Sequence, residues 1–216
     1  MNKKVLVIAL VLVLAVGSVF AAKKADMKLG AQLGFGARSV TFYGKESLKD
    51  NSLNYLNTGF YGAFSFEYGV TEAISIKAEA GINTMGTAKR SLKVGSTSFD
   101  SKKESSNTPV NFTIFAGAMY NKALNKELSI YAGAGIDMMI GKLYADEDAK
   151  TNAAIGLGAE AGVAYALDKK LSINAGGKFG WHFVNTNDDV EEAKVGDNHG
   201  TTNLTYKFYA GVTYAL

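Results

Sequence analysis

The chain has 216 residues, a formal net charge of +3, a single Pro, 24 Gly and no Cys. That length fits one domain, and 47% hydrophobic with 11% aromatic residues can build a core rather than a disordered tail. The lack of Cys excludes disulfide scaffolds, thiol-ligated metal sites and a lipid anchor on sulfur, and the near-neutral charge gives no broad basic footprint for nucleic acid.

The N-terminus reads as an export signal. Lys3 and Lys4 precede an unbroken apolar run from Val5 to Val16, then Gly17 and Ser18. This is the order of charged, apolar and small-residue regions in a secretory signal peptide. Val19-Phe20-Ala21 places the expected cut between Ala21 and Ala22, which gives a signal peptide over 1–21 and a barrel domain over 22–216. Twelve apolar residues are too few for a transmembrane helix, which needs about 20. Removal of the signal leaves a net charge of +1.

From Lys28 onward the chain alternates with period two, the signature of strands with two unlike faces. The first strand sets Leu29, Ala31, Leu33, Phe35 and Ala37 against Gly, Gln and Lys28 or Arg38. The pattern returns at Phe60–Val70, Ile74–Asn83, Val110–Tyr120, Leu128–Ile140, Ile155–Tyr165, Leu171–Phe183 and Asn203–Leu216. Not one residue on the eight apolar faces is charged. The opposite faces are rich in Gly and carry few, separated charges, unlike a solvated surface. Glycine suits the inside of a narrow barrel, whose interior at eight strands is just wide enough for side chains to fill. The pattern therefore predicts an all-β fold: an eight-stranded antiparallel up-and-down transmembrane β-barrel, apolar side out and polar side in. Closure would satisfy every backbone group within lipid.

The connections agree. Thr71-Glu72-Ala73, Asn121 to Glu127 and Asp168-Lys169-Lys170 are short. Ser39 to Thr58, Thr84 to Pro109, Gly141 to Ala154 and Val184 to Thr202 are long and are expected to be loops. Short turns on one side and long loops on the other fit the periplasmic and extracellular ends of an outer-membrane barrel. With that polarity, Tyr68, Tyr120, Tyr165 and Tyr214 fall at one depth as a lower aromatic girdle, and Phe60, Phe112, Trp181, Phe183 and Tyr206 form an upper one.

These features, with the terminal Tyr209-Ala210-Gly211-Val212-Thr213-Tyr214-Ala215-Leu216, resemble the small outer-membrane β-barrel families of the OmpA, OmpX and OmpW type. The resemblance implies placement in the cell outer membrane and an assembly signal read by the barrel-insertion machinery. Tyr209, Gly211, Tyr214 and Leu216 match its spacing, with Leu216 where those families usually end in Phe or Trp.

The inward charges include Glu67, Lys77, Glu79, Asp137, Glu160, Lys178 and Lys207. Opposite signs on adjacent strands predict ion pairs that plug the lumen, because an unpaired buried charge is costly. The expected pairs are Lys77 with Glu67 or Glu79, and Glu160 with Lys178, with Lys207 beside them. The reading favoured by the residues is a porin-like barrel with a structural or adhesion-type surface role, monomeric, needing no cofactor and no metal. Its partners are outer-membrane lipid and a surface ligand at the loops, where Lys89, Arg90, Lys93, Lys102 and Lys103 make the second loop basic.

The alternative is a narrow channel or an OmpW-like transporter of small hydrophobic compounds, for which Tyr61, Phe115, Met119, Tyr131, Met139 and Tyr209 supply inward apolar bulk. A lipid A-modifying enzyme ranks third. It needs a nucleophile and a base, yet His182 is expected to face Ala154, Gly156, Asn203 and Thr205 with no Ser or carboxylate beside it. His199, with Asp188, Asp189, Glu191, Glu192 and Asp197, reads as a solvated acidic loop rather than a cation site.

Overall fold

The computed structural model describes residues 26–43, 52–84, 87–94, 96–104, 110–142, 151–185 and 200–216. The expected signal peptide and its cut at Ala21 and Ala22, and the acidic cluster around His199, lie outside the described residues. The strands are β1 (Met27–Tyr43), β2 (Ser52–Gly69), β3 (Ile74–Thr84), β4 (Thr87–Val94), β5 (Thr97–Glu104), β6 (Val110–Ala123), β7 (Leu128–Lys142), β8 (Thr151–Ala166), β9 (Leu171–Asn185) and β10 (Gly200–Ala215). Among the described residues there is no helix.

Eight of the strands close a barrel in the order β1-β2-β3-β6-β7-β8-β9-β10, each antiparallel to the next, with β1 paired to both β2 and β10. Closure removes the free edges that could not survive in lipid. Strand parity puts the sequence's apolar face outside: Leu33 and Phe64 are 76% exposed and Phe208 is 70% exposed. On the other parity Lys77, Glu79, Asp137, Glu160 and Lys207 are buried. This is the inverse of a water-soluble barrel and the arrangement of a membrane-spanning one.

The remaining two strands correct the expectation that Thr84 to Pro109 is a loop. β4 and β5 form a hairpin, Thr87 opposite Glu104 through Val94 opposite Thr97. β4 pairs with the upper half of β2, from Thr58 opposite Thr87 to Ser52 opposite Lys93. β1 likewise runs on to Tyr43, and β2 starts at Ser52, inside another expected loop. The period-two contrast fades there because both faces lie beyond the apolar band, so no apolar side is required. The ladder persists on polar contacts: the Asn54 amide donates to Ser39 Oγ at 2.9 Å and Thr41 Oγ1 at 2.6 Å.

At the other end β6 continues to Ala123, so the connection from Asn121 shortens to a four-residue turn. All three short turns share one device. Thr71 Oγ1 accepts the N–H of Ala73 and Ile74, Asn125 Oδ1 those of Glu127 and Leu128, and Asp168 Oδ1 those of Lys170 and Leu171. A short polar side chain capping the backbone two and three residues on is what Asn, Asp, Ser and Thr supply in tight turns. The recurrence (Val70-Thr71 to Ile74, Leu124-Asn125 to Leu128, Leu167-Asp168 to Leu171) is written in the sequence.

The inward glycines make room for neighbours' side chains. A Cβ on Gly133 would lie 2.3 Å from Met119 Sδ, one on Gly162 2.3 Å from the Tyr131 hydroxyl, and one on Gly117 2.8 Å from the Phe115 ring. Small and large side chains therefore alternate across neighbouring strands and fill the bore without widening it.

Candidate functional site

The lumen is layered, and its charges meet mainly across the bore. At the periplasmic mouth Glu67 stands 3.6 Å from Lys28 Nζ and accepts hydrogen bonds from Ser75 Oγ at 2.6 Å and Asn121 Nδ2 at 3.2 Å. A cavity of about 220 Å³ opens here and reaches inward as far as Lys77, Met119, Tyr131 and Glu160.

Above it sits a closed tetrad of two lysines and two carboxylates. Lys77 on β3 donates to both oxygens of Glu160 on β8, at 2.7 and 2.8 Å, and lies 3.2 Å from Glu79. Lys178 on β9 bonds Glu79 and lies 3.7 Å from Glu160. Each ammonium thus faces both carboxylates, and the charges cancel. Three tyrosines complete the shell. Tyr61 donates to Glu79, Tyr209 donates to Glu160, and the Tyr131 hydroxyl lies 2.8 Å from that of Tyr209. Lys178 further donates to Gln32 Oε1 at 3.0 Å and sits over the Tyr61 and Tyr209 rings, 5.4 and 5.0 Å from their centroids. The donors and acceptors of the four charges are shared among themselves and these phenols, the condition under which buried ions are tolerated.

Of the pairs expected from the sequence, Lys77–Glu79 and Glu160–Lys178 are present, at 3.2 and 3.7 Å, but they are not the tightest contacts. Glu67 is the register partner of Lys77, and Glu160 that of Lys178. The closest approaches nevertheless join Lys77 to Glu160 and Lys178 to Glu79, because a narrow bore lets long side chains meet across it. Lys207 does not join the tetrad. It lies 3.8 Å from Asp137 and 5.1 Å from the Tyr61 ring centroid.

His182 also departs from expectation, since a carboxylate does stand beside it. Asp137 Oδ2 approaches His182 Nε2 to 3.0 Å, although too obliquely for a directed hydrogen bond. Asp137 belongs to β7, two strands away. Gly158 and Gly180 leave its side chain the passage, for a Cβ would be 3.0 Å from Asp137 Cβ at the first and 2.5 Å from Oδ2 at the second. The bare inner edge of glycines hid this neighbour from a strand-by-strand reading.

At the extracellular end, fully buried Arg38 donates through Nε to Asn203 Oδ1 at 2.9 Å and through Nη1 to the Lys142 carbonyl at 2.8 Å. Asn57, the register partner of Arg38, and Asn203 are buried with it, as are Asn83 and Asn111, which oppose one another on β3 and β6. Nothing in the alternation pattern marks four asparagines as a set, because they lie on four different strands. Among the described residues no cluster of His, Asp and Glu has the grouping to hold a metal ion.

On the outer wall Tyr120, Tyr165 and Tyr214 are exposed near the turn end, and Trp181 and Tyr206 towards the other. Tyr68 has outer-face parity, opposite Met27 and Ile76, but is only 6% exposed. Of the terminal residues, Tyr209 faces the lumen while Tyr214 and Leu216 are exposed. On the hairpin, Lys89 Nζ lies 2.8 Å from Asp100, and with the Ser91 hydroxyl it holds that carboxyl below its ordinary range.

A closed eight-stranded barrel, greasy outside and ion-paired within, defines a membrane-spanning outer-membrane barrel. The profile described as the outer membrane protein beta-barrel domain matches residues 7–214, and the chain belongs to that family. It is a protein of the cell outer membrane. Among curated proteins, none matches the sequence. The fold is similar to that of Neisserial surface protein A, at 16% identity and a TM-score of 0.57, over 90% of this chain and all of that one. It is also similar to OprG from Pseudomonas aeruginosa, at 12% identity and a TM-score of 0.54, over 89% of this chain and 97% of that one. The N-terminal barrel domain of OprF from the same organism follows at 10% identity and a TM-score of 0.50, over 89% of this chain and all of that one.

Proposed function

We propose that the protein is a monomeric structural barrel with a surface-interaction role, its lumen closed at mid-depth by the Lys77–Glu79–Lys178–Glu160 tetrad. The observation that carries this reading is the tetrad itself, with both lysines engaged by both carboxylates and the phenols of Tyr61 and Tyr209 filling the gaps. An ion crossing this level must break buried ion pairs, each of which leaves an uncompensated charge behind. The inward apolar groups do not favour a transporter. Phe115 stands in register between Glu79 and Asp137, and Lys77 lies opposite Gly117 between Phe115 and Met119, so charge is interspersed with these apolar groups. His182 and Asp137 are buried in the barrel wall beside the Thr205 hydroxyl, and the reading as a hydrolase is not the one the tetrad favours.

The surface role falls to the β4–β5 hairpin, which carries Lys89, Arg90, Lys93, Lys102 and Lys103 beyond the membrane band. Its partners are anionic surface groups, and assembly runs through the last strand from Tyr209 to Leu216. Planar-bilayer conductance of the refolded protein, beside a heat-modifiability gel that reports folding, tests the closed lumen. Folded but silent protein is expected. Small steady openings that change in Glu160→Gln and Lys178→Met would establish a channel instead. Deletion of residues 88–106 without loss of surface binding would remove the hairpin from the role.

A further inference from the structure

The periplasmic vestibule is built differently from the lumen above it. Its cavity of about 220 Å³ ends on the tetrad, where Lys77 and Glu160 are already spent on one another and on Glu79. At the mouth Lys28 and Glu67 stand 3.6 Å apart and offset each other in the same way. Between these two ionic levels the wall turns neutral. Ser65, Ser129, Ser172 and Thr213 bring hydroxyls and Asn174 an amide, all on strands within the described residues.

Two glycines shape a cradle in this wall. A Cβ on Gly30 would lie 2.4 Å from Ser65 Oγ and 3.6 Å from Thr213 Oγ1, so the two hydroxyls converge from β2 and β10 over a bare stretch of β1. A Cβ on Gly211 would lie 2.9 Å from Asn174 Oδ1. The Asn174 amide donates to Thr213 Oγ1 at 2.8 Å, which leaves the Thr213 proton to be given elsewhere. Asn174 Oδ1 itself is buried with no hydrogen-bond partner among the described residues. A buried polar atom left open calls for a water or a ligand, and this residue lines a cavity.

We propose that the vestibule binds a small, neutral, polyhydroxylated molecule the size of a monosaccharide, entering from the periplasm and seated over Gly30 between Ser65, Thr213 and Asn174. Hydroxyls both give and accept hydrogen bonds and the open amide oxygen only accepts, so the complement carries several O–H groups and needs no charge. Met119 and Tyr131 border the same cavity and offer apolar surface to a carbon frame. The volume holds about seven waters at about 30 Å³ each and falls below the roughly 300 Å³ at which drug-sized sites begin, which limits the ligand to a single ring. The tetrad closes the far side, so the molecule is held rather than passed on.

The test is solution NMR of the refolded barrel in micelles, with D-glucose as the probe and the backbone amides of Gly30 and Gly211 as reporters. Saturable shifts at both glycines are expected with glucose, and none with phosphate or ethylammonium at matched ionic strength. Ser65→Ala combined with Thr213→Val should weaken glucose binding about tenfold, the loss of two hydrogen bonds. Glycines unmoved by glucose, shifts that follow either ion instead, or an unchanged affinity in the double variant would each overturn the proposal. If that variant yields no heat-modifiable barrel, a glucose-soaked crystal of the wild-type protein decides: sugar density over Gly30 is expected, and water alone in the vestibule overturns the site.

Discussion

Lys77 grips both carboxylate oxygens of Glu160 across the bore, although its register partner on the neighbouring strand is Glu67. The pair links β3 to β8, strands that share no backbone ladder, so it ties opposite walls of the barrel together. Removing one partner from a buried pair leaves a naked charge, whereas removing both does not. Glu160→Gln should therefore destabilise the barrel by about 3–5 kcal/mol, and Lys77→Met with Glu160→Leu by distinctly less. Urea unfolding in detergent micelles, run as a double-mutant cycle, measures both. Equal losses in the single and double variants would deny the coupling.

Glycine at the inner wall is a matter of clearance. A Cβ at Gly162 would meet the Tyr131 hydroxyl at 2.3 Å and the Ala175 carbonyl at 2.4 Å. The carbonyl belongs to the backbone ladder and cannot swing aside. Gly162→Ala should lower stability by about 1–3 kcal/mol, the usual range for overpacking. The midpoint of heat modifiability reports the change, and an unshifted midpoint would show that the wall yields.

The outer face should respond to charge in lipid. Leu33 projects from the apolar band, and an Arg at the midplane of a membrane barrel costs about 2–4 kcal/mol. Leu33→Arg is expected to lose an amount in that range when unfolding is followed in bilayers. Ser98→Arg, on the hairpin beyond the band, should lose almost nothing. Equal effects at the two sites would contradict the placement of the band.

The turn between β8 and β9 carries a pH signature. The backbone N–H groups of Lys170 and Leu171 hold the Asp168 carboxyl below its ordinary value of 3.8. A carboxylate depressed in the folded state adds stability that is fully present above its unfolded pKa and disappears as pH falls through the folded one. Asp168→Ala should thus unfold faster than wild type at pH 6, with the gap closing below about pH 4, where the unfolded carboxylate begins to protonate. A gap unchanged down to pH 2 would mean that the charge plays no part in the cap.

Strand number in the barrel, the inside-out polarity and the inward set of charges were legible in the sequence, because a membrane barrel must repeat period two wherever lipid touches it. Leu33, Phe64 and Phe208 announce the outer face simply by alternating with Gly, Gln and Lys. The alternation stops where the lipid stops, so the β4–β5 hairpin and the upper reaches of β1 and β2 were hidden among polar residues. The three turn caps, Thr71, Asn125 and Asp168, were readable as a recurring spacing. What only the closed structure decided is who meets whom. Lys77 chooses Glu160 over Glu67, Asp137 reaches His182 past two glycines, and Arg38 bonds Asn203 and the Lys142 carbonyl. These contacts depend on the width of the bore and on side chains spanning it, and a one-dimensional pattern fixes facing direction without fixing the distance across.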